Sequence, residues 1–182
     1  MPAWRTRRAE RGFTLTELMV VVVLIGVLAM IGVAAFRKRV TASKATEVTT
    51  VIGALRAGEE AYKGENQEYL DISDPNAWYP SATFNSDAIS WSANFGTHVD
   101  GPGFQALNAP ITQSVQYRYL VNAGSAGDTM PSPTGVTLPT WPTPSDPWYV
   151  IIARANVDGD SVFSTAVATS FNHEINVTNE GE

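Results

Sequence analysis

Two groups of side chains have the types and spacing to do chemistry. Asn156, Asp158 and Asp160 alternate in a short polar stretch, with Gly159 between the two carboxylates. Oxygen donors at alternate positions suit calcium, which wants about six to eight oxygens around it, so the trio is a candidate calcium site. The spacing is not that of an EF-hand. The glycine comes too early, no glutamate stands at the twelfth position, and a plain turn competes as the reading. The second group is a single carboxylate. Glu17 stands at the entrance of a long apolar run, where an ionised group costs on the order of 2–3 kcal/mol unless it finds a cationic partner. No Lys or Arg lies one helical turn further in.

Enzyme chemistry has no comparable support. His98 and His173 are the only histidines, neither has metal-ligand spacing, and no Ser or Lys nucleophile motif is present. His98, beside Asp100, reads as a surface loop residue. The absence of cysteine excludes thiol catalysis, thiolate metal sites and any disulfide. Without a glycine-rich phosphate loop the chain does not power nucleotide-driven work. The triplet Asn176-Val177-Thr178 matches a glycosylation acceptor but is too common by chance to carry weight.

The elements that must position these groups are legible. From Leu18 to Phe36 run 19 uncharged residues, about 28 Å as a helix at roughly 1.5 Å per residue, close to the thickness of a bilayer core. No proline separates Pro2 from Pro75, so the helix is expected to continue. Ala45, Val48, Val51, Ile52, Leu55 and Tyr62 recur at helical spacing, with Lys44, Glu47, Arg56, Glu59 and Lys63 between them. That pattern predicts one face packed on a domain and another facing solvent or neighbours, with Gly64 ending the helix. Residues 65–112 are punctuated by Asp74-Pro75 and Gly101-Pro102-Gly103. They read as irregular structure holding a short helix or strand, anchored by Trp78, Phe84, Trp91, Phe95 and Phe104. Gln113–Asn122 reads as a strand with Val115, Tyr117, Tyr119 and Val121 on one face and Gln116, Arg118 and Asn122 on the other, Leu120 being the exception. After a proline-rich connection over 123–147, Trp148–Val157 and Ser161–Thr169 read as a hairpin around Asp158-Gly159, and the tail from Asn172 adds an edge strand or frays.

The stretch Arg11-Gly12-Phe13-Thr14-Leu15-Thr16-Glu17, followed by the apolar run, resembles the processing site of type IV prepilins and of the related pseudopilins of type II secretion. In that family a dedicated peptidase cleaves after the glycine and methylates the new N-terminal residue. The resemblance implies a cut between Gly12 and Phe13, with Glu17 as the fifth residue of the mature chain. Phe13 would then carry a methylated α-ammonium, still positive, and Glu17 of one subunit would neutralise the amine of a neighbour in a filament core. Many type IV pilins carry a helix-breaking proline where this chain has Ala34. Gly26 and Gly32 remain as weak points, each lowering helix propensity by roughly 1 kcal/mol, or as places for close helix packing in a membrane.

The resemblance further implies an α+β, pilin-like fold: a long N-terminal helix packed on an antiparallel sheet of three to four strands. Its division would be a leader at 1–12, a helix at 13–64 (13–36 transmembrane and filament core, 37–64 amphipathic) and a globular domain at 65–182. The implied role is a structural subunit of a type IV pilus-like filament, or a type II secretion pseudopilin. Its partners would be other copies or paralogous subunits, the prepilin peptidase, an inner-membrane assembly platform, and the membrane before assembly. It would be stored as a single-pass precursor in the bacterial inner membrane and end in an extracellular pilus or a periplasmic pseudopilus. No cofactor is implied beyond the calcium candidate.

Charge and composition bound the alternatives. The 182 residues hold 12 basic and 18 acidic groups; without the four Arg and one Glu of residues 1–12 the balance is 8 to 17, a formal −9. An acidic domain is a poor match to nucleic acid as main ligand, which wants a clustered basic face. Basic residues flank the apolar run on both sides, at Arg5, Arg7, Arg8 and Arg11 and again at Arg37, Lys38, Arg39 and Lys44, so charge alone does not orient it. Two other readings stay open on the residues: a secretory signal cut near Val33-Ala34-Ala35, and a signal anchor carrying a binding or enzyme domain. The run is longer than a usual signal core, and neither reading explains Glu17.

Overall fold

The computed structural model describes residues 12–156, 159 and 162–179, apart from the side chains of 34, 37–42 and 45. The leader arginines, Ala45 as a packing residue, and Asp158 and Asp160 therefore lie outside what is described. Contacts divide the chain into two compact units, Met1–Val40 and Thr41–Glu182. One α-helix, α1 (Leu15–Asn66), contributes to both.

In the first unit the span Leu15–Val33 is long and apolar enough to cross a membrane, and none of it is buried by the chain itself. Gly26 and Gly32 lie within unbroken helix. With Ala34 in place of a proline, no backbone N–H is missing from the ladder there.

The second unit is built on the C-terminal part of α1. Val48, Val51, Ile52 and Leu55 are fully buried, as their spacing predicts. Strands β1 (Ile89–Ser90) and β2 (Ser114–Val115) form a small antiparallel pair, and α2 (Gly101–Leu107) supplies the short helix expected in the variable stretch. Strands β3 (Arg118–Gly124), β4 (Trp148–Ala155), β5 (Ser164–Thr169) and β6 (Asn176–Thr178) form one antiparallel sheet in that order. The β4–β5 hairpin closes with Ala155 opposite Ser164, and the tail adds β6 as an edge strand. The fold is thus α+β, a helix on a four-stranded antiparallel sheet, as the resemblance implied.

The sheet is buried on both faces. Tyr119, Val121, Tyr149, Ile151, Ala153, Ala166 and Ala168 pack toward α1 with Trp91 and Phe104. Leu120, Trp148, Val150, Ile152 and Val167 form a second core with Trp78, closed by Phe84, Met130, Val136, Leu138 and Trp141. Leu120, the exception in the alternation, belongs to this second core. A strand buried on both sides has no reason to alternate, which accounts for the continuous apolar run of β4. The free edge of β3 is covered by the chain after α1: Ile72 and Ser73 donate to Val121 O at 3.2 and 2.9 Å, and Tyr79 pairs with Tyr119.

Three expectations need correction. The helix does not end at Gly64. It runs to Asn66, and Gln67 takes the left-handed conformation (φ 66°) while donating to Lys63 O at 2.9 Å. Tertiary contacts fix that end: Tyr69 donates to Glu60 and accepts from Lys63 at 3.1 Å each, which places the exit turn beyond the glycine. The strand expected over Gln113–Asn122 is two strands, because the amides of Gln116 and Tyr117 donate to the Glu47 carboxylate (2.7 and 3.3 Å) instead of a neighbouring strand. His98 is no loose surface residue. Its Nε2 meets Trp78 O at 2.9 Å, its Nδ1 accepts the Asp100 amide at 3.1 Å, and its ring stands edge-on to Tyr79.

Candidate processing and assembly site

The segment from Gly12 to Glu17 opens the first unit. Gly12 and Phe13 precede the helix, and Phe13 is 86% exposed. Thr14 stands just before the first helical residue, and Glu17 three positions later. Glu17 Oε2 accepts the Thr14 amide at 2.8 Å and the Thr14 hydroxyl at 2.7 Å, while the Glu17 amide donates to Thr14 Oγ1 at 3.3 Å. Thr16 Oγ1 lies 3.1 Å from the same hydroxyl. This is a capping box: the side chains at the two ends of Thr-x-x-Glu satisfy each other's orphan amides at the helix start. The carboxylate also sits at the positive end of the helix dipole. Sequence reasoning gave Glu17 a partner only in another subunit and missed Thr14. The Thr-Leu-Thr-Glu spacing ahead of an apolar run is the signal that would have found it. Within one chain, Glu17 is occupied by neutral donors and meets no cation among the described residues.

The calcium candidate is only partly described. Asn156 Oδ1 accepts the Gly159 amide at 2.8 Å, and Gly159 has φ 85°. This is an Asx-type turn that uses one of the proposed oxygen ligands internally. Asp158 and Asp160 are outside the described residues.

No catalytic constellation forms among the described residues. Both ring nitrogens of His98 are engaged by backbone, and His173 is exposed with its carbonyl accepting Arg56 Nη1 at 2.9 Å. No group of three or more His, Cys, Asp or Glu that could hold a metal occurs among the described residues.

The charged groups that the second unit takes in, Arg118 fully and Glu47 in part, were missed from sequence. Arg118 is fully buried, and its guanidinium donates to the carbonyls of Thr83, Val115, Gln116 and Asp87 and to Asn85 Oδ1, at 2.7–3.3 Å. Burial lowers its pKa, with the Glu47 charge opposing. Burial likewise raises the Glu47 carboxyl, opposed by the Gln116 and Tyr117 amides. Together Glu47 and Arg118 satisfy the backbone where β2 and β3 part. These residues hold backbone groups of the domain together.

Residues 7–33 match the family model of the prokaryotic N-terminal methylation motif. The chain is 27% identical to the type IV major pilin protein PilA of Myxococcus xanthus, over 89% of this chain and 80% of that protein. A fimbrial protein of Pseudomonas aeruginosa is 32% identical over 37% of this chain and 44% of its own length. The type II secretion system core protein G of the same species is 41% identical over 35% of this chain and 44% of its own. No solved structure matches. None of these relatives is named as an enzyme. The methylation motif and these similarities together make the chain similar to type IV pilins, to fimbrial proteins and to a core protein of type II secretion.

Proposed function

We propose that the chain is a structural subunit of a type IV pilus-like filament, processed by prepilin peptidase and assembled through its N-terminal helix. One observation carries the reading: the methylation motif leads into the apolar span Leu15–Val33, none of which the chain buries for itself. Such a surface needs lipid before assembly and other helices after it. Cleavage after Gly12 would put a methylated ammonium on Phe13. A neighbour's Glu17 would then exchange its neutral capping contacts for an ionic partner. The precursor would rest as a single-pass protein of the bacterial inner membrane, served by the peptidase and an assembly platform, and the product would be extracellular. The role requires no catalysis by the chain itself.

The second reading is a pseudopilin of a type II secretion system, with a periplasmic fibre. Similarity to core protein G over 35% of the chain favours it; the alignment with PilA runs through 89% of the chain and supports the pilus. Intact-mass measurement and N-terminal sequencing of the protein from cell envelopes test the processing. The expected mature chain begins at N-methylated Phe13. A chain beginning at Phe36 would mean an ordinary signal peptide and would overturn the proposal. Whether the protein is the bulk component of sheared surface filaments separates pilus from pseudopilus.

A further inference from the structure

Glu59 is the least expected side chain of the second unit. It lies on α1 with none of its surface exposed. Its Oε2 accepts the Leu70 amide at 3.0 Å, tying the chain that leaves the helix back onto it. Its Oε1 is buried and has no hydrogen-bond partner among the described residues. Among the described residues, the charged and titratable groups around it offer no counter-ion. On its own helix, Lys63 donates to Tyr69, and Arg56 turns both terminal nitrogens to the carbonyls of Asn172, His173 and Glu174, leaving only its Nε without a partner among the described residues. Glu60, next to it, is a like charge that accepts the Tyr69 hydroxyl. In the segment after the helix, Asp71 is another like charge, held by Asn122 and the Ala123 amide. From the sheet comes Tyr149, whose ring meets Tyr69 edge-on at 4.8 Å.

We propose that Glu59 is a proton-operated latch: protonated, it holds the segment 67–71 closed on α1, and ionised, it releases that segment to water. In the neutral acid Oε1 carries the proton and no buried charge stands unpaired, while Oε2 keeps the Leu70 amide. Loss of the proton leaves an anion in a dry site beside Glu60 and Asp71, which the single Leu70 amide does not offset. Hydration then requires the segment to lift. The raised pKa agrees with the geometry: burial first, then the charges of Asp71 and Glu60, carry Glu59 up to about 7 against the pull of the Leu70 amide. A folded-state pKa above the unfolded value means the closed form binds the extra proton. The closed state is therefore fully favoured below about pH 4.5 and loses ground as pH rises to about 7. The latch acts within one subunit and does not depend on how the subunit is used.

Hydrogen exchange of the full-length protein in detergent micelles, followed from pH 5 to 8 and corrected for the chemical exchange rate, tests it at the Leu70 amide. The opening equilibrium should rise between roughly tenfold and a hundredfold over that range in the wild type. Glu59→Gln keeps the shape and an acceptor for Leu70 but has no proton to lose, so its opening should stay flat. Glu60→Gln, on the exposed surface, removes one like charge, so the rise should be smaller and level off at a lower pH. A flat wild type, or the same rise in Glu59→Gln, overturns the latch. Should Glu59→Gln not fold, an unaltered profile in Glu60→Gln overturns it as well.

Discussion

The two ends of α1 solve the same problem with different partners. Between Leu15 and Val33 every large apolar side chain is exposed within the chain, whereas Val48, Val51, Ile52 and Leu55 are sealed against the sheet. Each region also carries a carboxylate with no cation in contact among the described residues. Glu17 lies open at the helix start and uses Thr14, while Glu59 is sealed in and uses only the Leu70 amide. One end is unfinished without other molecules; the other is complete in itself. Substitutions in the first region should therefore act on assembly and leave folding alone. Those in the second should act on folding.

The largest effect expected from that contrast is at Glu17. Glu17→Ala weakens the helix cap, worth about 1 kcal/mol at an end that can fray, so the precursor should stay inserted and cleaved. In the proposed filament it would remove one side of the proposed ionic pair with a neighbour's Phe13 ammonium, typically about 3–5 kcal/mol. Tagged mutant subunits mixed with wild type should be depleted from filaments by more than roughly a hundredfold. Equal incorporation, or loss of the precursor from the membrane, would break the contrast.

Arg118→Leu probes the other region. One buried and several part-buried carbonyls lose their donor at once, at about 1–3 kcal/mol for each one left unsatisfied. The domain should lose at least roughly 3 kcal/mol in denaturant unfolding, with insertion and cleavage unchanged. A variant of wild-type stability would mean that the β2–β3 break does not need the guanidinium.

Two glycines one and a half turns apart sharpen the comparison within the helix itself. A Cβ on Gly58 would meet Leu107 Cγ at 2.8 Å and Leu107 O at 3.0 Å, so Gly58→Ala should destabilise the domain by about 1–3 kcal/mol. A Cβ on Gly53 meets nothing within 4 Å, and Gly53→Ala should stabilise by up to about 1 kcal/mol through helix propensity. Equal signs for the two in thermal melts would contradict the packing of α2 on α1.

The smallest effect concerns Asn156, Asp158 and Asp160. With Asn156 already accepting the Gly159 amide, chelation should leave the melting temperature unchanged. A chelator-dependent drop that disappears in Asp158→Ala would make the loop a calcium site, since a ligand of the folded state stabilises it by mass action.

The amino-acid sequence alone determined whatever depends on near neighbours along the chain. The 3.6-residue spacing of Val48 to Leu55 names the buried face of α1, Asp158-Gly159 marks the hairpin, and Gly12, Phe13 and Glu17 fall in the N-terminal methylation motif. Each is a local preference or an address read in extended chain. Only the tertiary structure decided which charges went inside. Glu47 and Glu59 sit among residues that read as a solvated helix face, and Arg118 alternates as an outward strand position. Their burial depends on backbone groups far along the chain: Glu47 bonds an amide 69 positions away, and Arg118 a carbonyl 35 positions away. The same cause moved the helix end past Gly64 and split the expected strand. A buried backbone amide or carbonyl must find a partner, and which side chain arrives there is set by packing in space.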